Sequence, residues 1–258
     1  TLVGPGDGAQ ACGEIGAGRM SEPETVRDAV IALLSAPTAR PLAGTRAVVT
    51  AGPTREAIDP VRFITNRSSG KQGYAVATAL RDLGADVTLI SGPVALCAPA
   101  GVTHVEVETA EQMLAATLQC AADADLLVAA AAVADYRMTD VAAHKIKKNS
   151  DTLSLALQRN PDILATVRAA QPGLFMVGFA AETERLAEHA RDKLGRKHLN
   201  LIAANQVGEG LAFDVDTNAL QVFWADGQQA IAQGSKQAVA HQLAELIAHH
   251  YLKATPAA

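Results

Sequence analysis

Aromatic side chains are scarce in this chain of 258 residues, at 3%, although 49% of it is hydrophobic and alanine recurs throughout. A core so poor in large rings suits helices laid closely on a parallel sheet better than a β-sandwich. Cysteine is also rare. Cys12, Cys97 and Cys120 show no metal-ligand spacing and leave one unpaired, which argues against a disulfide framework. No apolar run approaches the roughly 18 residues of a membrane-spanning helix. No signal-peptide pattern opens the chain either, so a cytoplasmic location is expected. Positive charge is not in excess: the net charge is −5 and the pI is near 5.8. That excludes broad affinity for nucleic acid or an anionic membrane, and the basic residues must act locally. The seven histidines form no triad or metal pattern.

What is present is a regular alternation of apolar strands and amphipathic helices after a short leader. Residues 1–20 carry six glycines and no hydrophobic period. A helix is expected over Ser21–Leu34, with Ser21 as cap and Val26, Val30, Leu33 and Leu34 as its stripe. A linker follows at 36–43, and the main domain is expected over 44–258. Strands are expected at 46–50, 86–91, 103–108, 125–133, 153–157, 174–179 and 200–204. Helices are expected at 71–83, 109–121, 161–170, 183–197 and 236–252. This predicts an α/β fold, a Rossmann-like, mostly parallel sheet with helices on both faces. Two apolar stretches flanking Asp226-Gly227 predict a hairpin, a small antiparallel addition at the sheet edge near the C-terminus.

The connection after the first strand is the most unusual segment. It runs for about twenty residues, where about 2–6 is customary, and loops beyond about 12–15 mostly bind something. It holds Arg55, Glu56, Asp59, Arg62, Asn66, Arg67 and Lys71. Its end, Ser68-Ser69-Gly70-Lys71, opens a helix with a cation and no acid, which suits a bound anion. A serine-capped helix with a solvated lysine explains the same residues equally well. Neither a Walker A loop nor the Gly-x-Gly-x-x-Gly dinucleotide pattern is present.

Downstream, the fourth strand ends in Ala129, Ala130 and Ala131 and then Asp135. Small residues there let a ring approach the backbone, and Asp135 can accept from a ligand hydroxyl or amino group or help hold a metal; packing and a turn cap are the plainer alternatives. Arg137–Ser150, with Lys145-Ile-Lys-Lys, suits a flap over phosphates or a solvated charge run. Asn160-Pro161-Asp162-Ile163 reads as a helix start with Asn160 as cap. Phe179 can stack on a base or fill the core. Lys193 and Lys197 stand four apart and share a helix face, so they either clamp a polyphosphate or line an exposed stripe.

Taken together and in order, the runs TAGPTREAIDPVRFITNRSSGKQGYAVA, LISGPV, AAAVADYR, KIKK, NPDIL, VGFAAET, the Lys193/Lys197 pair, AAN and FDVDTNAL closely resemble the synthetase half of the bacterial bifunctional coenzyme A biosynthesis proteins, phosphopantothenoylcysteine decarboxylase/phosphopantothenate–cysteine ligase. The resemblance spans about residues 44–252. QACGEIGAGRM resembles instead the C-terminal substrate clamp of the flavin-dependent decarboxylase, with Cys12 in the place of its proton donor. On this resemblance residues 1–35 are a decarboxylase remnant without its FMN-binding body, and Cys12 is idle in this chain alone.

The resemblance implies a ligase that joins 4′-phosphopantothenate to L-cysteine at the expense of CTP, usually with Mg²⁺, through an acyl-cytidylate. It implies nucleotide contacts at Ala129–Ala131, Asp135, Asn160, Pro161, Asp162, Ile163 and Phe179, with Lys193 and Lys197 on the triphosphate. Lys145 on the flap would stabilise charge on the reacting phosphate. Arg62 and Asn66 would act on the acyl side, and Ser68, Ser69, Gly70 and Lys71 would hold the phosphate of phosphopantothenate. A homodimer is implied, with one subunit contributing to the other's pantothenate site. Two rival readings are an NAD- or flavin-binding oxidoreductase on the same sheet and a non-catalytic assembly module.

Overall fold

A computed structural model describes residues 3–4, 6–9, 15–34, 40–148, 151–206 and 216–255, with the backbone alone for 6–9, 15–19 and 32–34. The chain separates into two units, Thr1–Ala39 and Arg40–Ala258. In the first, β1 (Gly6–Ala9) pairs antiparallel with β2 (Ile15–Arg19), and α1 (Pro23–Leu34) follows. Cys12 lies outside the described residues.

The second unit begins four residues before the expected domain start. Leu42 is fully buried and its amide bonds to the Leu83 carbonyl at 3.0 Å, so residues 40–43 belong to the folded unit rather than to a linker. In chain order come β3 (Arg46–Ala51), β4 (Arg55–Ala57), β5 (Phe63–Thr65), α2 (Lys71–Asp82), β6 (Asp86–Ser91), β7 (Thr103–Glu106), α3 (Ala110–Ala121) and β8 (Leu126–Ala129). Then follow β9 (Tyr136–Met138), β10 (Leu157–Arg159), α4 (Ile163–Ala170), β11 (Phe175–Glu182), α5 (Leu186–Arg196), β12 (Leu201–Gln206), β13 (Thr217–Trp224), β14 (Gly227–Ser235) and α6 (Lys236–Ala254).

Eight strands form one sheet in the order β14-β13-β12-β11-β8-β3-β6-β7. The six from β12 to β7 run parallel; β13 and β14 are the antiparallel hairpin at one edge. Alternation along β3 shows how the layers form. Ala47, Val49 and Ala51 enter the core beneath α2 and α6, whereas Val48 enters the core that holds Met113 of α3, Val167 of α4 and Leu194 of α5. Helices therefore cover both faces, as the pattern predicted. Helix α2 lies close on β3 because Gly73 has no side chain: a Cβ there would come within 2.6 Å of the Ala51 Cβ.

Three local expectations fail. The strand expected at 153–157 is displaced to β10 and leaves the main sheet, pairing antiparallel with β9 in a ribbon of two strands. Its Leu153, Leu155 and Leu157 alternate like a strand, but all three are exposed. The strand expected at 125–133 is ladder only to Ala129; beyond it, Ala130 and Ala132 donate to the Thr50 and Gly52 carbonyls around the end of β3. The hairpin loop is Ala225-Asp226, one residue earlier than expected, because Gly227 already pairs with Trp224.

Candidate functional site

The strand order turns back at β3, with β6 on one side and β8 on the other, and such a switch point leaves a crevice beyond the strands' carboxyl ends. Two cavities occupy that region. The first, of about 570 Å³, is lined by Thr50, Ala129, Ala131, Asp135, Asn160, Pro161, Asp162, Ile163, Phe179, Lys193 and Lys197, among others. The second, of about 510 Å³, is lined by Asn66 through Gly73, by Ala130–Val133, and by Asn205, Asn218 and Lys236. Ala131, Val133, Asp135, Phe179 and Lys193 line both, so the cavities share a wall.

Lys193 is the cation in that wall. It donates to the Phe179 carbonyl at 2.7 Å. Burial pushes its ammonium below the ordinary lysine range, against the opposing pull of Glu182 and Asp135. One turn on, Lys197 caps the end of α5 and is paired with the Asp162 carboxylate. Both lysines line the first cavity, consistent with the one helix face that their spacing gives them. Arg159 and Arg196 line it too, and nothing in the sequence analysis singled them out.

The Asn160 run is built differently from expectation. Asp162, not Asn160, caps α4, accepting from the Ala165 amide at 3.0 Å. Asn160 instead ties its loop to β9: its Nδ2 donates to the Ala134 carbonyl at 2.8 Å, and its Oδ1 accepts from Arg137 at 3.0 Å. A two-residue shift of the helix start frees Asn160 for this brace.

The long loop after β3 is not a loose cradle. Strands β4 and β5 fold it into a hairpin, and most of its charge is used to hold it. Arg55 stacks over Phe63 at 4.7 Å. Glu56 is buried and accepts from the Ala110 amide at 2.9 Å, adding a carboxylate to the positive end of α3. Asp59 is buried as well. It accepts from the amides of Val61, Arg62 and Ile146 at 2.8, 2.9 and 3.1 Å and is clamped by both arms of the Arg62 guanidinium. That guanidinium, with the backbone donors, holds the Asp59 carboxyl well below the usual carboxylate range.

Arg62 lines neither of these cavities; its guanidinium is engaged by Asp59. Its second duty is to donate to the Ile146 carbonyl at 2.9 Å, which anchors the segment carrying Lys145. Lys145 itself is exposed and lines neither cavity. Asn66 does line the second, with its Nδ2 donating to the Val133 carbonyl at 2.9 Å.

At the start of α2, Gly70 adopts a left-handed conformation (φ 75°) and no side chain caps the helix. The Ser68 hydroxyl accepts only from Gly70, so the serine-cap alternative does not hold. Ser68, Ser69, Gly70 and Lys71 all line the second cavity, with Lys71 paired to Asp216 at 2.5 Å.

The family model of the DNA/pantothenate metabolism flavoprotein C-terminal domain matches residues 42–251. The chain belongs to this family. It is 47% identical over 255 residues to the coenzyme A biosynthesis bifunctional protein CoaBC of Haemophilus influenzae, covering 98% of this chain and 63% of that protein. Its identity to the Vibrio cholerae CoaBC is 48% over 248 residues, covering 95% and 61%. The chain thus spans less than two thirds of the length of these relatives. A crystal structure of a CoaBC C-terminal domain superposes with a TM-score of 0.70 at 40% identity, covering 82% of this chain and 97% of that one. The family model begins at residue 42, where the second folded unit has just started, and both cavities lie inside the matched span.

Among the described residues no group of three or more His, Cys, Asp or Glu side chains is placed to hold a metal ion. That donor set does not fit a metal held by protein alone. A cation carried on a ligand's phosphates would need only one or two carboxylates from the protein; Asp162 is paired with Lys197, which leaves Asp135, the carboxylate of the shared wall, as the candidate.

Proposed function

We propose that the chain is a phosphopantothenate–cysteine ligase acting in coenzyme A biosynthesis. The single observation that carries this reading is the shared wall: two cavities lined by basic side chains and strand-end alanines meet at Lys193, Asp135 and Phe179. CTP takes the first, with its base against Ala129–Ala131 and Phe179 and its phosphates on Lys193 and Lys197. 4′-Phosphopantothenate takes the second, with its carboxylate at the wall. The relatives named as coenzyme A biosynthesis proteins support a role in that pathway.

The carboxylate oxygen then attacks the α-phosphorus, the bond to the β-phosphate oxygen breaks, and pyrophosphate leaves. The amine of L-cysteine attacks the acyl carbon of the resulting acyl-cytidylate, CMP departs, and the ammonium proton goes to solvent. Lys193 neutralises charge developing on the phosphates in a site of lowered dielectric, where such a contact is strongest. Asn66, held by Val133, presents an amide beside the acyl group. Mg²⁺, when bound with CTP, would supply further charge neutralisation at the phosphates. The segment at Lys145, anchored through Ile146, acts as a flap that keeps water from the mixed anhydride.

A decarboxylase step using FMN and Cys12 is proposed only for a longer protein that also carries an FMN-binding body. Pairing of two copies is proposed through the small hairpins. Val61 and Phe63 on one, and Tyr136 and Leu157 on the other, are exposed apolar residues on elements that pack together.

The test is product analysis with CTP and ATP in parallel. Pyrophosphate formed from CTP in the presence of 4′-phosphopantothenate, with CMP and sustained turnover that further require L-cysteine, support the reading; a folded chain releasing neither from any nucleotide defeats it. Asn66→Asp should retain pyrophosphate release while slowing overall turnover by about 10²-fold, the scale of a lost oxyanion donor.

A further inference from the structure

Lys193 carries the charge in the shared wall, and a carboxylate that lines neither cavity stands behind it. Side chains alternate along β11. Ala180 enters the core beside Ala190 and Leu194 of α5, and Glu182, two residues on, falls on the same face. There its Oε2 meets the His189 Nδ1 at 3.0 Å. His189 and Lys193 stand four apart on α5 and so share a helix face. Lys193 in turn donates to the carbonyl of Phe179, on the same strand as Glu182. Helix α5 is thus held to β11 by two neighbouring polar contacts, one made by the Lys193 ammonium and one by the Glu182 carboxylate.

The two contacts are coupled through charge. A half-buried ammonium loses part of its hydration and needs negative charge nearby to stay protonated. Glu182 and, to a lesser extent, Asp135 act on Lys193 in that sense, against burial and Arg196. The two carboxylates differ in what else they meet. Asp135 lines both cavities, where a bound molecule or its cation would engage it. Glu182 lines neither, so its charge stays available whatever is bound. Among the described residues His189 is its one hydrogen-bond partner. An ionised carboxylate only accepts, so Nδ1 of the imidazole carries the shared proton, and a neutral ring fixes the carboxylate without cancelling its charge.

The other groups nearby are already committed or carry the wrong sign. On α5, Glu188 pairs with Arg185 and Asp192 with Arg196. Asp162, on the far side of the first cavity, is paired with Lys197, and Arg159 at that cavity is a cation. Strands β12 and β13, which also pack on α5, carry no titratable side chain.

We propose that Glu182, oriented by His189, is a positioning residue that keeps Lys193 in its ammonium form and so sets the upper pH limit of nucleotide binding. This rests on the ligase reading above and deepens it by naming what holds the charge between the two cavities. Without the carboxylate, the ammonium keeps only the Phe179 carbonyl and Asp135, and it gives up its proton at a lower pH.

The test follows KM for CTP against pH, by pyrophosphate release with 4′-phosphopantothenate and L-cysteine saturating. It compares the wild type, Glu182→Gln, Glu182→Asp, Lys193→Arg and the double variant Lys193→Arg/Glu182→Gln. On the alkaline limb KM of Glu182→Gln should lie about 10-fold above the wild type at the same pH, the effect of losing one nearby opposite charge, while at pH 7 the two stay within about twofold. Glu182→Asp keeps the charge and should recover most of the alkaline affinity. In the Lys193→Arg background the cation cannot lose its proton, so adding Glu182→Gln should leave the profile unchanged. A Glu182→Gln profile that superposes on the wild type, or a loss equal at every pH and in both backgrounds, overturns the assignment; the second result would make Glu182 a brace for α5. Should Glu182→Gln fail to melt cooperatively, Glu182→Ala is read on the same criterion, and if both fail to fold the carboxylate is structural and the assignment falls. A wild type that releases no pyrophosphate at any pH defeats the ligase reading itself; an active wild type whose variants share its pH profile defeats only the role of Glu182.

Discussion

Lys193 joins the two cavities, and its protonation sets the pH range over which they can cooperate. Burial lowers its pKa, so it loses its charge at a lower pH than an exposed lysine, whose value is about 10.4. Only the ammonium attracts a triphosphate. KM for CTP should therefore rise as pH climbs through that lowered value, before the ordinary lysine range is reached. Lys193→Arg stays charged throughout, so its KM should be flat over the same limb even if its value at neutral pH is a few-fold higher. The same alkaline limb in both proteins would show that another group titrates.

Asp59 gives the opposite sign. Its folded pKa is depressed, so its stabilisation is complete above the unfolded carboxylate value of about 3.9 and is lost as pH falls from there through the folded value. Asp59→Asn should lower the melting temperature at pH 7 by an amount that is constant down to about pH 5 and shrinks below about pH 4. A gap that does not change with pH would mean that shape rather than charge matters at this position.

At the scale of elements, the flap is where sequence and structure diverge most usefully. Periodicity was enough to place the parallel strands, because β3, β6, β8, β11 and β12 are short apolar runs buried on both faces. The same patterning placed five helices beside them, α2 to α6. It failed for 153–157, where three leucines alternate as in a strand and yet none finds a core. The ionic loop was legible as unusual but not as a hairpin, since nothing local says that Asp59 will close on Arg62 and reach Ile146, 87 residues on. Charge read as ligand chemistry was in large part charge used for architecture. Lys236 was missed although it repeats the signature that singled out Lys71, a lysine opening a helix without an acid in its first turn.

Because Asp59 and Arg62 fix only the root of the flap, Lys145 should be separable from folding. Lys145→Gln is expected to lower kcat by about 10-fold or more, as loss of a charge acting only in the transition state, while the melting temperature stays within about 1 °C. Parallel losses in kcat and melting temperature would assign Lys145 a structural role instead.

For the whole molecule, the hairpins β4–β5 and β9–β10 leave Phe63 and Leu157 exposed beside the cavities' loops. If two copies pair through them, Phe63→Lys together with Leu157→Lys should turn a dimer into a monomer in light scattering, with each unit still folded. A wild type already monomeric at assay concentration would remove this part of the scheme. Among the described residues no helix is long and apolar enough to cross a membrane, and Val61, Phe63, Tyr136 and Leu157 are among the large hydrophobic side chains that the second unit leaves exposed.

The central claim is that the shared wall at Lys193 lets one bound molecule transfer its nucleotidyl group to the other before cysteine arrives. Rapid mixing of the chain with CTP and 4′-phosphopantothenate in the absence of cysteine tests it most directly. The account predicts a burst of about one pyrophosphate per site, with CMP appearing only after L-cysteine is added. Pyrophosphate that forms only once cysteine is present, or release of CDP and phosphate in its place, would contradict it.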